Sequence, residues 1–309
     1  MANECLVTNL KGVVDNDNLP KFGEVKLEVR HTRNDTMILV IGAGEYFSSL
    51  EVRAVGGTVT KIDDTHYELG NGNFTIFVNH KYDITGFRVF GANNTSYAQD
   101  IYNTIIIDSE ELKYSPNLDT ATIKVKGNTN NLANCNFKWL NQPDNVINTA
   151  EEYAKEVFLS GDIAYITKES LIMLMLQDKA DYLTGNISSF TNCPNLIAMK
   201  VKGSQFKTSE LTGNIASLAT VLSLTGDVNF GRTKVTGNAE DMLKGMYVNG
   251  RRSGYFSFNG DSYAYLNGQL MGQDWLDCTF SDSGVTITKR TDSSLVATYT
   301  AATDSWTYA

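Results

Sequence analysis

Four sets of residues in this sequence have the types and spacings from which reactive sites are built. In MILVIGAGEYF, Gly42 and Gly44 follow an apolar strand, as in turns where glycine lets the backbone approach a dinucleotide pyrophosphate. That chemistry needs a third glycine where Phe47 stands, and a helix where LEVRAV alternates like a strand. The stretch therefore reads as a glycine-containing loop between two strands. His31, His66 and His80 lie among turn and polar residues with no second ligand at metal spacing, so edge or surface positions are expected for them. Cys5, Cys135, Cys193 and Cys278 share no CxxC or CxxH spacing and read as lone, mostly buried, reduced thiols. The adjacent acids Asp63 and Asp64, Glu110 and Glu111, and Glu151 and Glu152 have the groups for glycoside hydrolysis, but that reaction needs two carboxyls facing each other across a cleft. Neighbours in sequence read instead as solvated loop and helix-start residues. No GxSxG, HExxH or GK[ST] phosphate loop is present. The expectation is a protein that is not an enzyme, with no catalytic, cofactor-binding or metal residues.

The elements that position these residues differ along the chain. With 309 residues, 42% of them hydrophobic and 20% charged, the sequence has the composition of an ordinary soluble protein built from two or three units. A net charge of -9 with scattered Lys and Arg disfavours nucleic acid as a partner, because phosphate binding relies on clustered cations. No apolar run approaches the roughly 18 residues of a membrane span. MANECLVTNLKGVVDNDNLP lacks the basic start and apolar stretch of a secretory signal, so synthesis ending in the cytoplasm is expected.

Between residues 23 and 112, runs such as EVKLEV, TMILVI, NFTIFV and ITGFRVF alternate or form short apolar stretches cut by turn residues. They predict an antiparallel β-sandwich of immunoglobulin-like type, with YELGNGNFTIFV as a hairpin turning at Gly70, Asn71 and Gly72. From 113 to 254 the sequence repeats itself. LTGN at 183–186 recurs at 211–214, as VTGN at 235–238, and weakly as LSGD at 159–162, so Gly161, Gly185, Gly213 and Gly237 are 24, 28 and 24 residues apart. MLMLQD, AMKVKG, VLSLTG and GMYVNG, with KVKG from Lys124 upstream, predict one short strand per unit. LxxLxL opening a strand every 24 residues or so predicts a leucine-rich-repeat-like solenoid, whose units bury their apolar edges only by stacking. Leu171, Leu174, Leu176, Leu196, Met199 and Val201 are expected inside. The alternate residues are expected outside, as a candidate binding face: Thr122, Lys124, Lys126, Met173, Met175, Gln177, Lys200, Lys202, Ser223, Thr225, Tyr247 and Asn249. AEEYAKEVF, behind a Thr149/Glu152 capping box, predicts a helical turn. Residues 255–309 read as a small antiparallel β unit capping the solenoid, in which Tyr255, Tyr263, Tyr265, Trp275, Trp306 and Tyr308 are candidate contacts for sugars or subunits.

ECLVTNLKGVVDNDNLPKFGEVKLEV at the start, EVRAVGGTVTKIDDTHYELGNGNFTIFVNHKYDITGF in the sandwich, the TGNI repeats and the ending LVATYTAATDSWTY together resemble virion proteins of crAss-like tailed phages of gut bacteria. The resemblance implies a fibre or decoration protein of the head or tail, made in the host cytoplasm and carried on the virion surface. It implies attachment to other virion proteins through the N-terminal part, an arm at 1–22 that orders on docking, display of the distal repeats for host adhesion, and a homotrimer. It supplies no catalytic residues. The reading from another class is a bacterial cell-surface adhesin or glycan-binding module with leucine-rich repeats.

Overall fold

The computed structural model describes residues 23–43, 50–79, 84–91, 103–113, 124–141, 158–176, 179–204, 206–261 and 263–309. The chain is mainly β, arranged in several sheets. The N-terminal strands are β1 (Val25–His31), β2 (Met37–Ala43), β3 (Val52–Val55), β4 (Val59–Lys61), β5 (His66–Leu69), β6 (Gly72–Val78), β7 (Ile84–Phe90) and β8 (Asn103–Asp108). In β1 and β2 every second residue is buried, so Val25, Leu27 and Val29 face the same core as Met37, Leu39 and Ile41. One sheet runs β4-β5-β2-β7, and the other begins β3-β6-β1-β8.

YELGNGNFTIFV is not a hairpin: β5 pairs with β2 and β4, whereas β6 pairs with β1 and β3, so the chain crosses between sheets at Gly70 to Gly72. At the crossover the His31 imidazole reaches the backbone, with Nδ1 3.2 Å from the carbonyls of both Leu69 and Gly70. His31 is therefore a buried structural residue, not the edge or surface histidine expected from its polar neighbours. Gly42 belongs to β2 itself; a Cβ there would meet Thr85 Oγ1 at 2.8 Å, a close approach of two strands rather than a ligand loop.

Past β8 the same sheet continues in parallel. The strands that follow in sequence are β9 (Lys124–Asn128), β10 (Trp139–Asn141), β11 (Leu159–Asp162), β12 (Met173–Met175), β13 (Tyr182–Thr184), β14 (Ala198–Lys200), β15 (Thr212–Asn214), β16 (Asp227–Asn229), β17 (Lys234–Thr236) and β18 (Tyr255–Asn259), of which β15 and β17 form a separate two-stranded sheet. β8, β9, β10, β12, β14, β16 and β18 stack as successive rungs. Leu140, Leu174, Met199, Val228 and Phe258 stand in register on the inner side and are buried, as are Leu171, Leu176, Leu196 and Val201.

Two predicted rung strands are displaced. VLSLTG is a turn, and the strand follows it as β16; GMYVNG ends a helix, and the strand follows as β18. Two helices of the α type are described, α1 (Ser109–Leu112) and α2 (Ala239–Val248). In α2, Met242, Leu243, Met246 and Tyr247 are buried at helical spacing, while Glu240 and Asp241 occupy the first turn, where carboxylates favour the helix N-terminus. AEEYAKEVF and residues 1–22 lie outside the described residues.

The TGN repeat has a specific cause. A second column of short parallel strands, β9-β11-β13 and β15-β17, ends each time in Gly-Asx. In Asn128, Asp162, Asn186 and Asn214 the Asx Oδ1 accepts the N–H two residues on, from Asn130, Ala164, Ser188 and Ala216, and Asp108 at the end of β8 does the same from Glu110, whereas Asn238 before α2 makes no such bond. Each opens a helical turn, mostly 3-10, as an N-cap. The glycine of the next rung lies directly over that oxygen. Gly213, at φ 122°, would place a Cβ 2.5 Å from Asn186 Oδ1. Gly127 of KVKGN, read from sequence as a strand-end glycine like that of AMKVKG, belongs to this column, above Asp108.

The remaining strands are β19 (Tyr265–Leu266), β20 (Gln269–Leu270), β21 (Trp275–Ser281), β22 (Gly284–Lys289), β23 (Leu295–Thr300) and β24 (Ser305–Tyr308). β18 is parallel to β16 on one edge and antiparallel to β21 on the other, and β21-β22-β23-β24 continue as a meander. The C-terminal unit thus extends the ladder sheet from its last parallel strand. One hydrogen-bonded path runs from β3 to β24. Its thirteen strand-to-strand steps, at about 4.8 Å each, span about 60 Å along the twisted sheet.

Candidate binding face

The residues expected outside divide into those the sheet presents and those it does not. On the outer side, one row in register runs Trp139, Met173, Ala198, Asp227, Ser257 and Asp277; a second runs Met175, Lys200, Asn229, Asn259 and Trp275. Met173, Met175, Lys200 and Trp275 are therefore brought together on one face, and Tyr255, exposed at the start of β18, shares it.

Around Lys200 the face is charged and internally paired. Lys200 Nζ is 2.8 Å from Asp227 Oδ2, and Arg290 Nη2 is 2.6 Å from Asp227 Oδ1. Arg290 Nε also reaches Asp277 Oδ1 at 3.3 Å, and the Ser257 hydroxyl donates to the same oxygen. Both cations lie over the Trp275 ring, Arg290 at 4.8 Å and Lys200 at 5.5 Å from its centroid. Burial by itself pushes the Asp227 carboxyl up, but hydrogen bonds from Arg290 and Lys200 outweigh it and hold the group below the usual carboxylate range. Two cations on two carboxylates leave this cluster without net charge. With a half-exposed indole beside it, the face offers polar donors, polar acceptors and an apolar plane within one small area.

Other candidates stand elsewhere. Lys124 is buried, and its neighbour in register, Ile106, is buried too, so the outer side is not solvent-open at that rung. Lys126 is half-exposed, paired with Glu28 at 2.9 Å. Lys202 lies past the end of β14, half-buried. Ser223 donates to the Leu196 carbonyl from the turn before β16, and Thr225 is exposed in that turn. Tyr247 is buried in α2, its hydroxyl donating to the Asp282 carbonyl and its ring edge-on to Tyr299. Asn249 caps the C-terminal end of α2 and donates to the Ala219 carbonyl. Gln177 and Thr122 lie outside the described residues.

Among the C-terminal aromatics, Tyr263 is core: it packs edge-on to Phe230 and Phe258, and its hydroxyl donates to the Asn259 carbonyl. Tyr265 is exposed on β19. Trp306 and Tyr308 belong to the inner side of the sheet, opposite Tyr299 and Ala297.

Sequence reasoning missed Asp227, Asp277 and Arg290, because the strand was placed at VLSLTG. The available signal was apolar alternation at Val228 and Phe230 between Gly226 and Gly231, matching Phe256 and Phe258 before Gly260. It also missed Tyr182, exposed on β13, whose ring stands 4.5 Å from that of Phe158, the residue before β11, with Lys207 Nζ 3.9 Å above it.

The reactive candidates have local partners. Asp63 accepts from Thr65 and His66, which hold its carboxyl well below the usual range, and Asp64 pairs with Lys61. Glu111 accepts the Lys26 N–H. Cys135, Cys193 and Cys278 are buried free thiols. Among the described residues no cluster of three or more His, Cys, Asp or Glu has metal-site geometry, and no helix is long and apolar enough to cross a membrane. Comparison with protein-family models gives no match, and no curated protein is similar to this chain in sequence.

Proposed function

We propose that this chain is a non-enzymatic structural protein of a phage virion, a fibre or decoration protein of the head or tail. In this reading the N-terminal unit is an immunoglobulin-like sandwich that attaches to other virion proteins. The middle is a leucine-rich-repeat-like solenoid, and the C-terminal meander is the displayed end, available for host adhesion. The observation that carries the reading is the unbroken sheet from β3 to β24, which ties an attachment unit to a distal face with no flexible joint in the hydrogen-bonded path. A chain of that construction holds a surface at a fixed distance and orientation. The proposal is tested by mass spectrometry and antibody-labelled electron microscopy of purified particles: the chain is expected at stoichiometric level, with label on the particle surface. Particles that lack it refute the proposal.

The neutral polar cluster around Trp275 favours a second reading, a glycan-binding adhesin of a bacterial surface, because an indole flanked by donors and acceptors suits a sugar ring. Glycan binding that disappears on Trp275→Ala, together with absence of the chain from particles, would select it.

A further inference from the structure

We infer that β24 is a self-pairing edge, through which two copies of this chain join their sheets across a two-fold axis. β24 is hydrogen-bonded to β23 on one side, and among the described residues no strand pairs with its other side. The N–H of Ala309 donates to the Val296 carbonyl at 3.0 Å, which makes that pair hydrogen-bonded. Antiparallel pairs alternate, so Thr307 and Ser305 also bond toward β23, while the N–H and C=O of Trp306 and Tyr308 point outward.

Edges of this kind are ordinarily blunted by charge. The other strands that end these two sheets carry Arg53 in β3, Lys61 in β4 and Arg88 in β7. β24, SWTY, carries none.

The occupant that fits is a second β24. In an antiparallel register with Thr307 opposite Thr307 of the other copy, Trp306 faces its Tyr308 as a hydrogen-bonded pair, and the two-fold repeats the pairing. All four outward N–H and C=O groups on each strand are then satisfied by four hydrogen bonds. The same register places two Trp–Tyr pairs on the inner face, where Trp306 already packs on Tyr299 at 5.5 Å and Tyr308 is partly exposed, and a Thr–Thr pair on the outer face. No charge meets a like charge. The consequence is one sheet continuous through both molecules, with the two N-terminal units at its far ends.

The test is light scattering of the full chain over increasing concentration, with residue-resolved amide exchange. The wild-type chain is expected to reach twice the monomer mass, with Trp306 and Tyr308 amides slowing as dimer forms, while the Thr307 amide, bonded to β23 in both states, does not respond. Thr307→Lys sets like charges about 4.5 Å apart between backbones and is expected to give monomer, whereas Thr307→Val keeps the dimer. A chain that stays monomeric, a trimer, or a dimer in which the Trp306 and Tyr308 amides stay unprotected overturns the inference. A trimer, as the resemblance to phage fibres implies, would leave the proposed function intact, so the two can fail separately.

Discussion

Replacing Gly213 by alanine tests the account of the Gly-Asx column. Two costs combine at this site. A residue with a Cβ held at φ 122° costs about 1–3 kcal/mol in backbone strain. The added methyl would also fall 2.5 Å from Asn186 Oδ1 and 2.8 Å from Ile187 Cγ1, so the cap of the rung below must shift, and losing such a cap costs about 1 kcal/mol. The sum is about 2–4 kcal/mol. Gly268→Ala supplies the control, because that glycine has φ 72° with nothing within 4 Å of its added Cβ, and only the strain remains. Urea titration of both variants, and of Asn186→Ala alone and combined with Gly213→Ala, forms a cycle. Removing the Asn186 side chain removes the nearer of the two obstacles, and a cap already lost cannot be lost again, so the double variant is expected to be less destabilised than the sum of the singles by about 1 kcal/mol. Strict additivity, or a Gly213→Ala cost no larger than that of Gly268→Ala, would refute the stacking argument.

Other outcomes follow from the same geometry. Asp227 has its carboxyl depressed in the folded state, so its contribution to stability is present above the ordinary aspartate value of about 4 and is lost as pH falls through the folded value. The melting temperature of Asp227→Asn is therefore expected to trail wild type at neutral pH, with the gap closing in acid. Burial pushes the thiols of Cys193 and Cys278 up to about 12, so iodoacetamide followed by peptide mass spectrometry should mark both only after unfolding. Arg251 is buried, donates to the carbonyls of Leu222 and Leu224, and stacks on Phe280 at 4.5 Å and Phe256 at 5.1 Å. Truncation to alanine takes the donor from the buried Leu224 carbonyl and the partly buried Leu222 carbonyl and removes the ring stacking, and is expected to cost about 2–4 kcal/mol in denaturant titration.

Much of the architecture was legible because stacking writes itself into sequence. The interior side chains Leu171, Leu174, Leu176, Leu196, Met199 and Val201 follow directly from their spacing, since a rung that cannot bury its edge alone must present it to the next. Where local pattern and tertiary pairing diverge, the reading slipped. Met242, Leu243, Met246 and Tyr247 carry a helical period that begins before GMYVNG, so its short apolar run belongs to a helix and not to the strand that its local pattern predicts. The hairpin expected at Gly70 to Gly72 has sound turn chemistry, yet nothing in those residues states whether the next strand returns to its own sheet or crosses to the facing one. Lys124 was assigned outward by alternation and does lie on the outer side, but burial of that side at this rung depends on distant chain. The cluster ties Asp227 to Asp277 and Arg290, 50 and 63 positions on, so local alternation at Val228 could place Asp227 on a strand but could not assemble the cluster.

The continuous sheet also has a mechanical meaning. In the ladder the backbone hydrogen bonds lie along the line joining the N-terminal sheets to the meander, so a pull between the two ends opens rungs one after another instead of shearing them all together. Successive inner residues Leu140, Leu174, Met199, Val228 and Phe258 bound rungs of 34, 25, 29 and 30 residues. Each rung that lets go releases roughly 80 to 120 Å of extended chain. Under tension, a molecule of this build held at its two ends would yield in steps and lengthen many times over at a force set by one rung at a time.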